Sequence, residues 1–311
     1  MYFPYLRGRQ FELIALRELV TVLSPHIIPI IEPVKLSTTL ISTIKCFEAK
    51  KKQLALTVNP QVGDFDAAIG DKKNGKLKEQ FLTIAESPAV IKACILNENS
   101  EEILQELLSN GVAPETLITI CNNKDYIPVY ENVFLKRKPQ YNLISDESTF
   151  RRRIRDHRVL LSDKFKKKSR NSDYADNKDE PFSDDHLYYS DDGYIGFSDY
   201  SIIGDEYIES GFAPYAVAIH IVYFDDNYGL RIRHFVSDTN DDISDPAKKF
   251  AEAVGKLVEW NRAKQLDTQG IKILEAAYHN ESYPGLGTVK KLSIMHHLEL
   301  MGQYLDRVPA K

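Results

Sequence analysis

Apolar residues in this chain come in two textures. Short blocks with almost no polar interruption, such as Ile27-Ile28-Pro29-Ile30-Ile31, alternate with longer stretches in which apolar positions recur every three or four residues. The blocks have the length and composition of strands covered on both faces, and the spaced stretches have the period of amphipathic helices. Leu13, Leu16, Val20 and Leu23 mark the first helix, which Pro25 stops. Strands are predicted at Ile27–Val34, Leu54–Val58, Val90–Leu96, Leu117–Cys121, Tyr141–Ser145, Val159–Ser162, Tyr194–Phe197 and Ala216–Phe224, a count of eight. Strands alternating with helices read as βαβ units of parallel sheet. Eight of them predict an α/β fold, a single (βα)8 TIM-barrel-like domain over residues 1–311, a length that one such core commonly uses.

Three segments depart from a plain barrel. Residues 164–193 open with KFKKKSR, continue through DNKDEPFSDDH and carry few apolar residues before Leu187, so they read as a charged loop insertion. Its halves have opposite charge, which predicts pairing of one half with the other; gating of an opening is the alternative. VYFDDNYGLRIRHFV predicts a β-hairpin extension turning at Asn227–Gly229. From 245 to 311 the pattern is helical, starting at Asp245-Pro246 and ending on the stripe Ile294, Leu298, Met301 and Leu305; these helices complete or cap the barrel.

Hydrophobic content of 43% is enough for a core, and a net charge of −5 excludes a chain coated for non-specific binding to nucleic acid or anionic lipid. Charge therefore matters locally. RRRIRDHR at Arg151–Arg158 and the run Lys164–Arg170 make nucleic acid one candidate partner, with a solvated helix face as the competing reading. Cys46, Cys94 and Cys121 form no CxxC pair and sit in apolar surroundings, as in a reducing compartment. The arginines of MYFPYLRGRQ and the lack of an apolar run near 20 residues point to a cytoplasmic protein with no membrane partner.

Polar residues end the predicted strands repeatedly, and in a parallel barrel those ends meet on one face, where the site is built. Glu32, Asp163 and Asp199 are the candidate catalytic carboxylates and metal ligands, for magnesium or manganese, with Lys164 and His220 as assisting catalytic residues. Lys35, Asn59, Asn97 and Asn122 are ligand-binding candidates, although Asn at these junctions also serves turns and helix caps. Arg7 and Arg9 flank Gly8 before a helix and could hold an anion. YPGLGTVKKLS places Gly285 and Gly287 before Lys290 and Lys291, but it lacks a P-loop ending and reads as a glycine turn between helices. His296 and His297 point about 100° apart on one helix, so they do not readily share an ion; His297 lies on the face of Ile294 and Met301, as a core histidine would. No GxSxG, HExxH or strand-linked GxGxxG motif occurs.

MYFPYLRGRQFELIALREL, IIPIIEPVK, GFSDYSIIGDEYIESGFAPYAVAIHIVY and GLGTVKKLSIMHHLELMGQYL together resemble an uncharacterised bacterial family known by a locus-tag name, itself similar to the phage and bacterial "beta protein" group. The matching segments include Arg7, Gly8, Arg9, Glu32, Asp199, Tyr200, His220, Lys290 and His297. The resemblance implies a bacterial cytoplasmic protein encoded beside a small nuclease-like partner in a mobile or defence-type locus, and it carries no catalytic residues with it. Two functions follow as expectations: a partner or regulatory subunit acting with that nuclease-like protein, or a metal-dependent phosphoester hydrolase or nucleic-acid-processing enzyme with its site at the carboxyl end of the barrel.

Overall fold

In the computed structural model, which describes residues 1–209 and 214–307, the alternation becomes a parallel sheet of eight strands. In chain order these are β1 (Tyr5–Leu6), β2 (Ile30–Ile31), β3 (Leu54–Thr57), β4 (Val90–Ile95), β5 (Ile118–Cys121), β6 (Tyr141–Ser145), β7 (Arg158–Leu161) and, after an intervening strand β8 (Asp179–Ser183), β9 (Gly196–Ser198). Spatial order follows chain order. The two edges meet at a parallel bridge between Tyr2 and Phe197, where the Phe3 and Tyr5 N–H groups donate to the carbonyls of Phe197 and Asp199 at 2.9 and 2.8 Å. The result is a nearly closed TIM-like barrel.

Alternate residues fill the interior: Phe3 ahead of β1, Tyr5 from β1, Ala55 from β3, Ala93 and Ile95 from β4, Leu143 from β6, Leu161 from β7 and Tyr200 beyond β9. The intervening residues face a second, larger apolar layer under the helices. Helices α1 (Gln10–Leu19), α2 (Thr38–Ala49), α3 (Phe65–Gly70), α4 (Gly75–Ala85), α5 (Ser100–Ser109), α6 (Ile127–Val133) and α7 (Ser148–Arg153) lie between successive strands. On α1 the spaced residues Leu13, Leu16 and Leu19 are fully buried, each contributing roughly 1.5–3 kcal/mol. Ser37 caps α2 by accepting the Leu40 N–H at 3.1 Å.

The sequence reading places the eighth barrel strand at Ala216–Phe224 and begins the barrel at Ile27; both differ from the structure. The first strand is β1, whose two-residue ladder directly after Pro4 gives almost no periodic signal. Ala218–Phe224 is instead β10, paired antiparallel with β11 (Leu230–Val236), which pairs in turn with β8. The expected hairpin is this β10–β11 pair. Asp225 shapes its turn, accepting the Asn227 and Gly229 N–H groups at 2.8 and 2.9 Å.

Residues 164–193, expected as a loop, supply β8 and α8 (Asp185–Tyr188). The expected pairing of its charged halves is present: Lys164 meets Asp185 at 2.8 Å and Lys166 meets Glu180 at 3.1 Å. After β11 come α9 (Pro246–Lys264), α10 (Gln269–His279) and α11 (Leu286–Arg307). Asp245 caps α9 through the Lys248 N–H at 3.0 Å, with Pro246 in the first position. Helix α11 packs along α1 and so completes the outer ring. Its Lys291 reaches Glu18 at 2.8 Å, and its Asp306 accepts from Ser24 at 2.6 Å. Gly285 makes the turn expected before it. Residues 308–311 of the expected C-terminal helical region and 210–213 of the family-like segment lie outside the described residues. Among the described residues no helix is long and apolar enough to cross a membrane.

Candidate functional site

A parallel barrel delivers the carboxyl ends of all its strands to one rim, and here that rim encloses a cleft of about 640 Å³. Arg7 follows β1, Glu32 follows β2, Asn59 follows β3, Asn97 follows β4, Asn122 follows β5 and Tyr200 follows β9; all six line it. Five of the residues singled out from the sequence are thus brought together by topology alone.

Glu32 sits at the floor with no exposed surface. Its Oε2 accepts from the Tyr5 hydroxyl at 2.7 Å and from Arg7 Nη1, and its Oε1 accepts the Gln61 N–H at 2.7 Å. Both carboxylate oxygens are therefore used. The Arg7 guanidinium lies 5.2 and 5.4 Å from the ring centres of Tyr5 and Tyr200, and its Nη2 donates to the Asp205 carbonyl at 2.5 Å. Burial works against the Arg7 charge, Glu32 favours it, and the balance raises its pKa. Burial, joined by Glu32, pushes the Tyr5 hydroxyl well up, so it serves as a donor and not as a base. Gly8 makes the turn out of β1 possible. Its φ is +62°, and a Cβ there would stand 3.1 Å from the Glu32 carbonyl oxygen.

Amides form the opposite wall. Asn59 prolongs the β3–β4 pairing with its side chain, donating to the Ile95 carbonyl at 2.7 Å and accepting the Ile95 N–H at 2.9 Å. Gln61 donates to the Asn59 carbonyl at 2.6 Å and accepts from Asn97 at 2.8 Å. Asn97 also accepts the Asn99 N–H at 3.0 Å, and Asn123 the Asp125 N–H at 3.0 Å, the turn duty expected of such residues. The Asn122 amide and the Tyr200 hydroxyl make no hydrogen bond among the described residues and face the cleft. Burial raises the Tyr200 pKa strongly, so its hydroxyl stays protonated.

The metal set expected from the sequence is not assembled. Strand alternation turns Asp199 away from its interior-facing neighbour Tyr200 and toward the helix layer. There it accepts from the Tyr2 hydroxyl at 2.8 Å and the Ser201 N–H at 2.7 Å, and burial pushes its pKa up to about 6. Asp163 is held at the rim by the N–H groups of Phe165 and Asp205, both at 3.0 Å, and burial raises its pKa. With Glu32 already saturated, none of the three is free to turn toward the others. Among the described residues no three His, Cys, Asp or Glu side chains gather closely enough to hold a metal ion. The donor set does not suit magnesium or manganese, which need several oxygens converging on one point.

The assisting residues also lie elsewhere. Lys164 pairs with Asp185 of α8 and does not line the cleft, and His220 is on β10, in the antiparallel sheet. Arg9 stacks 4.7 Å from the Tyr207 ring and donates to the Ile208 carbonyl, and Lys35 is exposed outside the cleft. The sequence reading missed Tyr5, Gln61, Asn123, Tyr126 and Tyr200. No periodic signal marked Tyr5 or Tyr200, because β1 spans two residues and β9 ends before Asp199. Comparison with protein-family models, curated proteins and solved structures returns no match.

Proposed function

We infer that this protein works by binding, taking a neutral, planar, hydrogen-bonding ligand of nucleoside size into the barrel mouth. The observation that carries this reading is the mouth's chemistry. Its buried cation and carboxylate, Arg7 and Glu32, neutralise each other; the free groups that remain are the Asn122 amide, the Tyr200 phenol and the Tyr126 ring, with the carboxylates of Asp66 and Glu98 also in the lining. Such a lining gives little drive to capture an anion. It suits the donor and acceptor edges of a base, which Asn and Gln amides match and tyrosine rings stack against. The cleft volume falls within the range of small-molecule sites. The loaded barrel then serves as a cytoplasmic partner or regulatory subunit for the nuclease-like protein that the family resemblance implies.

Titration calorimetry with adenosine, guanosine, cytidine and uridine tests the ligand. One of them binds with Kd below about 1 mM, and Asn122→Ala and Tyr200→Phe each weaken it roughly fivefold to tenfold, the value of one hydrogen bond. Absence of binding by all four, or affinity unchanged in both variants, overturns the reading. For the partner, the protein and the neighbouring nuclease-like product are mixed at micromolar concentration on a sizing column. Co-elution supports the assignment, and two independent peaks remove it.

A further inference from the structure

The three additions to the plain barrel meet at a second cavity of about 240 Å³. The charged insertion contributes Lys167, Lys168 and Tyr174, the hairpin contributes His220, and α11 contributes Lys290 and Ser293. Lys167 and Lys168 belong to the basic run of the insertion, and the fold brings Lys290, more than a hundred residues away in sequence, to the same small cavity. Lys167 is paired with Glu206 at 2.9 Å. The ammonium groups of Lys168 and Lys290 have no hydrogen-bond or ion-pair partner among the described residues; Glu12 acts on Lys290 only from longer range. The first turns of α11 line the same cavity, which adds the positive end of a 22-residue helix.

His220 faces this space at the end of a chain of ring contacts. Its Nδ1 is 2.8 Å from His234 Nδ1, and His234 Nε2 is 3.4 Å from Glu180 Oε1. Phe165 and Tyr174 pack edge-on against the His220 ring, with centres 5.1 and 4.6 Å away. With the Glu180 carboxylate accepting from His234 Nε2–H, His234 Nδ1 accepts from His220 Nδ1–H. That arrangement leaves His220 Nε2 unprotonated. Nε2 has no partner among the described residues and is not sealed from solvent. Burial, with His234 and Lys290 adding to it, pushes the His220 pKa down to about 3, which keeps the ring neutral.

We propose that this cavity binds a small phosphate monoester carrying a hydroxyl group, with Lys168, Lys290 and the α11 N-terminus holding the phosphate and His220 Nε2 accepting from the hydroxyl. The cavity has room for a phosphate and a short polar extension, and it is distinct from the barrel mouth. Two unpaired ammonium groups at a helix N-terminus form an anion site. The neutral imidazole adds an acceptor that a bare oxyanion does not need but an alcohol does.

The test is titration calorimetry of the full chain with ribose 5-phosphate, inorganic phosphate and sulfate at low ionic strength. Ribose 5-phosphate binds most tightly, and its affinity falls as salt is raised, because the attraction is screened. Lys168→Gln and Lys290→Gln each weaken all bound probes by about fivefold or more. Lys168 is exposed, so its variant keeps the fold intact and reads binding alone. His220→Gln weakens ribose 5-phosphate more than phosphate. If no probe binds below about 10 mM, or Lys168→Gln leaves affinity unchanged, the site is not an anion site. Equal losses for ribose 5-phosphate and phosphate in His220→Gln overturn the hydroxyl contact.

Discussion

Removing either member of the Arg7–Glu32 pair leaves the other in a place that suits it only when paired. Glu32 has no exposed side-chain surface and Arg7 only 14%. Breaking a buried ion pair by deleting one partner typically costs about 3–5 kcal/mol, because the desolvated charge left behind is uncompensated. In Arg7→Met the carboxylate keeps the Tyr5 hydroxyl and the Gln61 N–H, which sets the expected cost near the lower limit, about 3 kcal/mol. In Glu32→Gln the new NH2 group must face either the Arg7 guanidinium or the Gln61 N–H, donor against donor, and a similar loss of about 3 kcal/mol follows. The double variant has neither stranded charge and should lose about 4 kcal/mol, not the roughly 6 that independent sites would give, a coupling of about 2 kcal/mol. Urea unfolding of all four proteins measures this, with an unchanged m-value confirming that the transitions are comparable. Single losses below about 1 kcal/mol that simply add would rule out a buried, coupled pair. They would mean that the pair is solvated and that Glu32 is available for other chemistry.

Asp199 has a folded-state pKa of about 6 against an ordinary value of 3.8, so between those values the folded protein holds the extra proton and stability falls as pH rises. Relative to wild type, Asp199→Asn should gain on the order of 2 kcal/mol between pH 4 and pH 7, read from urea midpoints; a difference constant with pH contradicts the assignment. Cys94 and Cys121 are buried, and burial pushes their thiols up to about 12, whereas Cys46 is half-buried. A thiol reagent at pH 8 should therefore label Cys46 alone in the native protein and all three in urea. Buried His296 sits between the Thr268 hydroxyl at 2.8 Å and the Val222 carbonyl at 2.7 Å, with its pKa pushed down by burial to about 4. Its ring signals should stay fixed from pH 8 to pH 5 in NMR spectra, and His296→Phe should cost roughly 2–3 kcal/mol by stranding the two groups it satisfies.

The barrel was legible because strands covered on both faces must be apolar throughout, and Ile27–Ile31 and Leu117–Cys121 carry that demand openly. The gathering of Arg7, Glu32, Asn59, Asn97 and Asn122 was legible for a topological reason: in a parallel barrel every strand end arrives at the same rim. Three features were not. Strand β1 is too short to show a period. Strand β10 has the apolar content of a barrel strand, and only its alternation of Ile219 and Ile221 with half-buried His220 and its hairpin partner mark it as antiparallel. Asp199 and Tyr200 are adjacent, and which one faces inward depends on a register that pairing with β1 and β7 decides. The neutralisation of Glu32 was hidden because its partners Tyr5, Arg7 and Gln61 come from two other strand ends. The insertion's self-pairing could be read from its charge blocks, but its β8 strand could not, since DEPFS gains a strand partner only through β11.

A crystal of the full-length protein soaked with the tightest-binding nucleoside tests whether the barrel mouth binds a neutral heteroaromatic ligand. Density is expected within hydrogen-bond distance of the Asn122 amide and the Tyr200 hydroxyl, with the Arg7–Glu32 pair intact beneath it. An empty mouth at saturating ligand, or a ligand seated elsewhere on the protein, contradicts it.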